Sequence, residues 1–467
     1  MALDQQRNWD LAMAENLEKV NLDAQEKKRN KPAQRDSVLP DISLKSRHEP
    51  KPWSSPPIYL PDEILIHIIS FIDAQADSAQ PTLAVCCLLS HRWYSAAVPF
   101  LYARPYLYGA NFDPFVRSIC PSINLHVRAS PLSELVRELN MGRLVHQGSR
   151  SLTARLLGRT KGSLEIFVAP QASFAMNCFP ALAKCKNLRI LDLSLVSESP
   201  PLPELFRTVS HLPKLRVFKL PRSSGMGTLQ HTPIALPWPP TLEDVTLSGG
   251  IDAHFVHGLT TFPHSLRRLT INHCPQVKGS AIMNLLRSAV RPLASLESLS
   301  ISNMPRLSSY ALNDVLSLLP KLTRLSVSVD YITPAMFDIG RYTDFKDGFT
   351  ASTSIEDTNI DAPRQHRLRT LELTTSGNTG VEDKISPIDV LIALDDQALP
   401  CLRQVRVAQA LLWHSSATLR DTEALADALQ EASKRDWEMR EGIFATMSSQ
   451  EYGIPDIWEK RSGVWEF

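Results

Sequence analysis

The sequence has no excess of charge of either sign and no long apolar run. Its 467 residues include 50 basic and 49 acidic side chains, so no strong net field attracts the chain to nucleic acid or to an anionic membrane. No segment reaches the roughly 18 apolar residues of a membrane span, and the start of the chain is too charged for a signal peptide. We therefore expect a protein of the cytoplasm, the nucleus or both, with no nucleic-acid or membrane partner.

Glycine and closely spaced cysteine pairs are also scarce. The chain has 18 glycines against 34 prolines, which excludes a flexible glycine-rich chain. Its seven cysteines are scattered, without the spacing of a zinc site or a disulfide framework. We expect reduced, mostly buried thiols and no metal.

The short motifs that mark common active sites are missing as well. The sequence contains no GxxxxGK[ST], GxGxxG, GxSxG or HExxH element, each of which would place a reactive group where its chemistry needs it. We expect a protein that is not an enzyme and holds no cofactor. A repeat-containing enzyme with a site assembled from distant positions stays open as an alternative.

Composition divides the chain into segments. Residues 1–57 are polar, with a charged run at 26–35 and a Pro/Ser-rich stretch at 49–57, and such a segment cannot bury a core. It is predicted to be disordered, and its basic run is either a nuclear-import signal or a solvated cluster. Residues 58–104 are instead rich in apolar residues at helical spacing.

This second segment predicts three short helices. Pro61 suits the first turn of a helix, Asp62 and Glu63 favour its positive end, and apolar residues then recur from Ile64 to Ile72. Two further apolar-patterned helices follow a polar linker. So small a core is marginal alone and gains stability by burying apolar surface on a partner or on the rest of the chain.

Two short motifs in this segment resemble the F-box, especially as it appears in fungal proteins. They are Leu-Pro-Asp-Glu-Ile at 60–64 and Leu-Ser-His-Arg-Trp-Tyr at 89–94, although Ser90 and His91 stand where family members often have Cys and Lys. In that family the three helices pack on a Skp-type adaptor, which links them to a cullin and a RING subunit. The resemblance implies that the adaptor interface or its supporting core includes Leu60, Pro61, Ile64, Ile68, Leu89 and Trp93. An ordinary helical hairpin that caps the next domain is the alternative.

A leucine-based repeat follows. Six-residue motifs with apolar first, fourth and sixth positions begin at residues 188, 215, 242, 266, 296, 322, 368 and 402. Most starts lie 24 to 30 residues apart, which is typical of a leucine-rich solenoid with one strand and one return per repeat. A weaker match begins at 164. The pattern also predicts that Cys274 packs inside the turn after its strand.

We therefore predict an α+β protein: a small three-helix F-box followed by an irregular leucine-rich-repeat α/β solenoid, or horseshoe. The repeats are predicted to span 105–415 with a loop insertion near 332–366. Residues 416–467 are predicted to form a C-terminal helical cap and tail, with a helix at 419–446. The last residues either pack on the final repeat or form a docking tail.

Alternation along the strands predicts a polar concave face. Because strand side chains point to opposite faces in turn, the third, fifth and seventh motif positions point away from the core. The charged or amide candidates for substrate contact are Asp192, Lys219, Asp244, Arg268, Asn272, Arg324, Glu372 and Arg406. The same rule places Pro221, Ser248, Ser328 and Thr370 on this face. Arg268 and Arg324 either meet an acidic or phosphorylated peptide or are simply solvated.

Taken together, these features predict a substrate-recognition adaptor for ubiquitylation. The F-box would bind the Skp-type adaptor and, through it, the cullin and RING subunits, while the repeats would bind an unknown protein substrate. The alternative is an F-box and repeat scaffold, or a regulatory interaction protein, that acts outside a cullin ligase.

Overall fold

The structure, a computed structural model, describes residues 60–72, 79–121, 130–144, 149–198, 200–222, 238–249, 251, 256, 262–288, 295–339, 366–375, 384–444 and 462–467. The predictions for residues 1–57, including the import signal, lie outside this part of the chain, as do residues 340–365 of the expected insertion. None of the described helices is long and apolar enough to cross a membrane.

Three helices open the described chain. They are α1 (Asp62–Ser70), α2 (Ala79–Leu89) and α3 (His91–Ala103). Helix α1 follows Pro61 and carries two acidic residues in its first turn, where the helix dipole favours negative charge. Helix α3 begins after Ser90, whose hydroxyl accepts a hydrogen bond from the Trp93 amide at 3.3 Å. Ser90 therefore serves as an N-cap at a position where the resemblance led us to expect Cys.

Long-range polar contacts fix the three helices to one another. The Arg92 guanidinium of α3 donates to the Asp62 carboxylate of α1, with an Nε to Oδ1 distance of 2.9 Å. The side-chain amide of Gln80, in α2, donates to the carbonyl of Arg104 just after α3, at 3.2 Å. These contacts tie α1 to the start of α3 and α2 to its end.

Helix α4 (Gly109–Ile119) connects this segment to the repeats. It buries Phe112, Phe115 and Ile119 in the main core. The Arg137 amide, just before the first strand, donates to the Ala103 carbonyl at the end of α3, at 2.9 Å. The helices and the sheet therefore share backbone as well as side-chain contacts.

The rest of the described chain is built around one parallel sheet. Its strands pair in chain order, β1 with β2 and so on to β11. They are β1 (Glu138–Asn140), β2 (Ile166–Val168), β3 (Ile190–Asp192), β4 (Val217–Lys219), β5 (Asp244–Ser248), β6 (Arg268–Asn272), β7 (Ser298–Ser302), β8 (Arg324–Ser328), β9 (Thr370–Thr374), β10 (Gln404–Val407) and β11 (Gly463–Glu466). Because parallel neighbours need a crossover, each strand is followed by a return segment.

Helices form several of these returns, and all but the last are short. They are α5 (Arg150–Thr160), α6 (Phe179–Leu182), α7 (Leu202–Val209), α8 (Gly279–Ser288), α9 (Val315–Leu318), α10 (Pro387–Asp395) and α11 (Leu419–Phe444). Between the helices and the sheet lies one continuous apolar core. The apolar motif positions stack there, as Leu188, Leu191 and Leu193 do with no exposed surface. The fold is an α/β solenoid, in which each repeat completes the core of its neighbours.

The sheet extends further at both ends than the motif alone indicated. Strand β1 precedes the weaker motif match at residue 164, and β11 lies in the predicted tail, where Val464 pairs with Val405. The expected insertion also differs from a plain polar loop at its two ends. Ile332, Met336 and Phe337 are buried in the core, and His366 is buried at the other end. The apolar side chains account for burial at the first end, and at the other end hydrogen bonds of the His366 ring with the Leu319 carbonyl and the Leu368 amide satisfy its polar atoms.

Candidate protein-interaction surfaces

Helix α1 carries two apolar pairs on different faces. Leu65 and Ile69, four residues apart, are 2% and 1% exposed, whereas Ile64 and Ile68 are 44% and 42% exposed. Residues at this spacing share one side of a helix. One pair therefore belongs to the small core and the other leaves apolar surface uncovered.

The uncovered apolar surface continues on the other two helices. Eight of the 18 exposed large apolar residues of the described chain lie in α1, α2 and α3 or directly after α1. We call them the helical apolar set: Ile64, Ile66, Ile68, Phe71, Val85, Leu88, Leu89 and Tyr94. Exposed apolar residues gathered in one small unit are typical of a protein-interaction site.

The six residues predicted to contact an adaptor are all at least partly accessible. Pro61, Ile64, Ile68 and Leu89 are exposed, and Leu60 and Trp93 are half-buried. Their contact with an adaptor stays a prediction. The sequence motif did not single out Phe71, Val85 and Leu88, and Leu88 proves to be 85% exposed. A helical wheel would have shown that Val85 lies on the same side of its helix as Leu89.

The second candidate surface is the open face of the sheet, which bears the predicted substrate residues. The strand register brings these residues side by side: Lys219 is opposite Asp192, Arg268 is opposite Asp244, and Arg406 is opposite Glu372. All eight candidates are exposed or half-buried. Their contact with a substrate stays a prediction.

Most of these charges pair with one another. The shortest nitrogen to oxygen distances are 2.8 Å for Lys219 and Asp192, 3.0 Å for Arg268 and Asp244, and 3.2 Å for Arg406 and Glu372. The Asn272 side-chain carbonyl accepts a hydrogen bond from Asn303 at 3.0 Å. The face is thus a ladder of cross-strand contacts, which an alignment of the repeats would have indicated.

The two partly buried carboxylates respond differently to this environment. Burial opposes ionisation of Asp192, but hydrogen bonds from Lys219 and Ser194 outweigh it and lower the pKa of that carboxyl. Burial raises the pKa of Asp244, and the nearby Arg268 acts in the opposite direction without cancelling it. The pKa of Asp192 is therefore lower than that of Asp244, so Asp192 stays ionised to lower pH.

Four positions assigned to this face by alternation are in fact buried. Pro221, Ser248, Ser328 and Thr370 are inaccessible, so that part of the prediction was wrong. The Ser248 hydroxyl donates to the Leu220 carbonyl, and the Ser328 hydroxyl donates to Asp330. In three of these repeats the buried residue is the seventh motif position (Pro221, Ser248 and Ser328), whereas Thr370 is a third position. The two buried serines satisfy local polar groups.

Comparison with known proteins assigns a family to the segment that bears the first candidate surface. The F-box-like family model matches residues 58–108, the segment that holds α1, α2 and α3. The chain is also 34% identical to the F-box protein YDR306C of Saccharomyces cerevisiae over 331 residues, which is 70% of this chain and 63% of that protein. The chain therefore contains an F-box-like segment at residues 58–108. It spans somewhat under two thirds of the length of this relative.

Two further likenesses each cover more than two thirds of the chain. The chain is 28% identical to the protein pof5 of Schizosaccharomyces pombe over 76% of this chain and 90% of that one. Among solved structures, the crystal structure of the Rad7 and Elc1 complex in yeast covers 68% of this chain and 91% of the matched chain, at 15% identity and a TM-score of 0.34.

Proposed function

We propose that this protein is a non-catalytic substrate adaptor of a Skp, cullin and F-box type ubiquitin ligase in the cytoplasm or nucleus. Its three helices would bind a Skp-type adaptor and, through it, cullin and RING subunits. Its repeats, of the leucine-rich type, would bind the protein to be ubiquitylated.

The observation that carries the first half of this proposal is the helical apolar set. Leaving so many large apolar side chains in water is unfavourable, by about 25 cal/mol for each Å² of apolar surface that a partner could cover. The buried pair Leu65 and Ile69 holds α1 in place without using Ile64 and Ile68. The helices can therefore keep their own core while the exposed pair contacts a partner.

The second half of the proposal is supported by the solenoid. Each additional strand lengthens an open face whose side chains can contact an extended partner. A protein held there while the helices are anchored would lie near the ubiquitin-charged enzyme at a high effective concentration. This subunit needs no catalytic group of its own for that role.

Affinity purification of the full chain from cells tests the complete proposal. We expect a Skp-type adaptor and a cullin to accompany the intact chain and to be lost from a Leu60→Ala, Pro61→Ala, Trp93→Ala variant. Circular dichroism and a thermal melt of the variant show whether the repeats remain folded. If neither subunit accompanies the intact chain, the proposal is wrong.

A scaffold or regulatory role outside a cullin ligase is the second candidate. The helical apolar set supports this role equally, since either role needs contact with the Skp-type adaptor. Recovery of the adaptor without a cullin in the same purification would favour this second role.

A further inference from the structure

Cations on the open face differ in whether a carboxylate already neutralises them. Lys219, Arg268 and Arg406 each lie within 3.2 Å of an acidic partner on the neighbouring strand. Such a cation attracts a further anion less strongly, since the partner's charge opposes its field. The cations without a partner therefore provide the better sites for an anionic ligand.

Four cations near the starts of β8 and β9 have no ion pair with any residue that the structure describes. They are Lys321, Arg324, Arg367 and Arg369, and all four are exposed. Lys321 and Arg324 belong to the repeat of β8, and Arg367 and Arg369 directly precede β9. Two neighbouring repeats thus bring to one edge of the sheet four positive charges that no carboxylate in the described part of the chain pairs with.

These cations line a groove, which we call the strand-start groove. It consists of two adjoining depressions of about 620 and 610 Å³ that share Glu243, Arg267, Glu297 and Thr323. Its basic side chains are Arg267, Arg268, Lys321, Arg324, Arg367 and Arg369, against the two acidic ones, Glu243 and Glu297. Glu297 lies 3.1 Å from Arg267 and Glu243 lies 3.8 Å from Arg216, and neither forms an ion pair with Lys321, Arg324, Arg367 or Arg369.

The spacing of the cations suits an extended chain. Arg324 is opposite Thr370, the residue after Arg369, so Arg324 and Arg369 belong to adjacent strands. Neighbouring strands lie about 4.8 Å apart, and an extended peptide rises about 3.3 Å per residue. Anionic groups two or three residues apart on a peptide could therefore meet different cations of the groove.

We propose that the strand-start groove binds an acidic or phosphorylated segment of the protein captured by the repeats. This inference rests on the proposed function, because it assigns a chemical class to the substrate. A guanidinium presents parallel N–H donors that match the two oxygens of a carboxylate or phosphate. Glu243 and Glu297 oppose a continuous phosphate backbone, and the net charge of the chain is only +1, so the groove fits a peptide better than a nucleic acid.

Fluorescence anisotropy with labelled peptides tests the proposal on the full chain. The probes are a Glu-rich peptide, a peptide with two phosphoserines about three residues apart, and a neutral Gln/Ser peptide of the same length. We expect one or both anionic probes to bind and the neutral probe not to bind. Arg324→Ala with Arg369→Ala should weaken the anionic binding by about tenfold or more.

The matched control removes two arginines from the same edge of the sheet but outside the groove. Arg137 and Arg189 lie 3.0 and 3.8 Å from Glu165, so Arg137→Ala with Arg189→Ala takes away the same charge without touching the free cations. We expect this control to bind the anionic probes like the intact chain. Equal loss in both double variants would overturn the proposal, since it would show an effect of total charge alone.

The remaining outcomes separate the ligand classes and the two proposals. Binding of only the phosphorylated probe identifies phosphate as the anion, and binding of the Glu-rich probe identifies carboxylates. Tighter binding of a single-stranded oligonucleotide through the same arginines would overturn the peptide assignment. An Ile64→Ala, Ile68→Ala variant should bind the peptides normally, so failure of the adaptor interface and failure of the groove give different results.

Discussion

The three helices of the F-box and the repeats use similar apolar residues in opposite ways. In the solenoid, Leu191, Leu269 and Leu299 are fully covered because each repeat is closed by the next. In α1, Leu65 and Ile69 are covered, but Ile64 and Ile68 are not. The comparison shows that apolar spacing predicts an element and its core side, whereas the neighbours available in the chain decide how many apolar faces are covered.

Truncating a leucine in the solenoid should have the largest effect on stability. Leu299, in β7 at the middle of the sheet, has no exposed surface, so Leu299→Ala leaves a cavity and should lower the free energy of unfolding by about 2–5 kcal/mol. Urea unfolding followed by circular dichroism measures this change. Leu88→Ala in the F-box, at 85% exposure, is the control and should shift stability by no more than about 0.5 kcal/mol. Equal losses would remove the distinction between the two regions.

The accessibility of the seven cysteines provides a second test of the comparison between the F-box and the repeats. Cys86 and Cys87 of the F-box and Cys401 are half-buried, whereas Cys120, Cys178, Cys185 and Cys274 are buried. Burial raises the pKa of the Cys185 and Cys274 thiols to about 12, so the reactive thiolate is scarce there at neutral pH. We expect an aromatic disulfide reagent to label the three half-buried thiols first and the four buried ones only on unfolding. Early labelling of Cys274 would contradict its place in the core.

The raised thiol pKa values also predict a loss of stability in alkali. In the unfolded chain these thiols ionise near their ordinary pKa of 9.0, but in the folded chain they stay protonated until about pH 12. The unfolded state therefore releases protons first, and the free energy of unfolding should fall as the pH rises above 9. Cys274→Ser should flatten part of this decline in urea titrations at several pH values, and an unchanged slope in this variant would contradict the prediction.

The ion pair within the F-box should have the smallest effect. Arg92 and Asp62 join α3 to α1 but are partly exposed, and such pairs contribute about 0–1 kcal/mol because water and salt screen them. Arg92→Ala should therefore lower the melting temperature only slightly, with a smaller difference at high salt. A large, salt-independent loss would mean that Arg92 is needed for packing.

Much of the fold could be predicted because the leucine motif reports directly on the core. The motif starts correspond to β3–β10, and the burial of Cys274 was also predicted correctly. Strand β11 was missed because Gly463–Glu466 carries no leucine motif and joins the sheet only through pairing with β10. The buried ends of the insertion were missed because Ile332, Met336 and Phe337 follow no repeat motif and His366 is a polar residue.

The candidate surfaces were less predictable, since they depend on contacts between repeats. Alternation placed Arg268 and Arg324 alike on the open face, but only the strand register shows that Arg268 meets Asp244. Arg367 and Arg369 were not singled out, because they precede the strand rather than lie within it. A comparison of the residues just before each strand, made across neighbouring repeats, would have indicated the groove.

The most direct test of the account is binding of a purified Skp-type adaptor to the full chain and to two matched double variants. Ile64→Ala with Ile68→Ala changes the exposed pair of α1, and Ile388→Ala with Ile392→Ala changes a pair with the same spacing on α10, at 45% and 52% exposure. We predict that the first variant loses about tenfold or more in affinity measured by isothermal titration calorimetry, and that the second binds like the intact chain. If the α1 variant binds like the intact chain, the exposed pair of α1 is not the adaptor surface and the central claim is wrong.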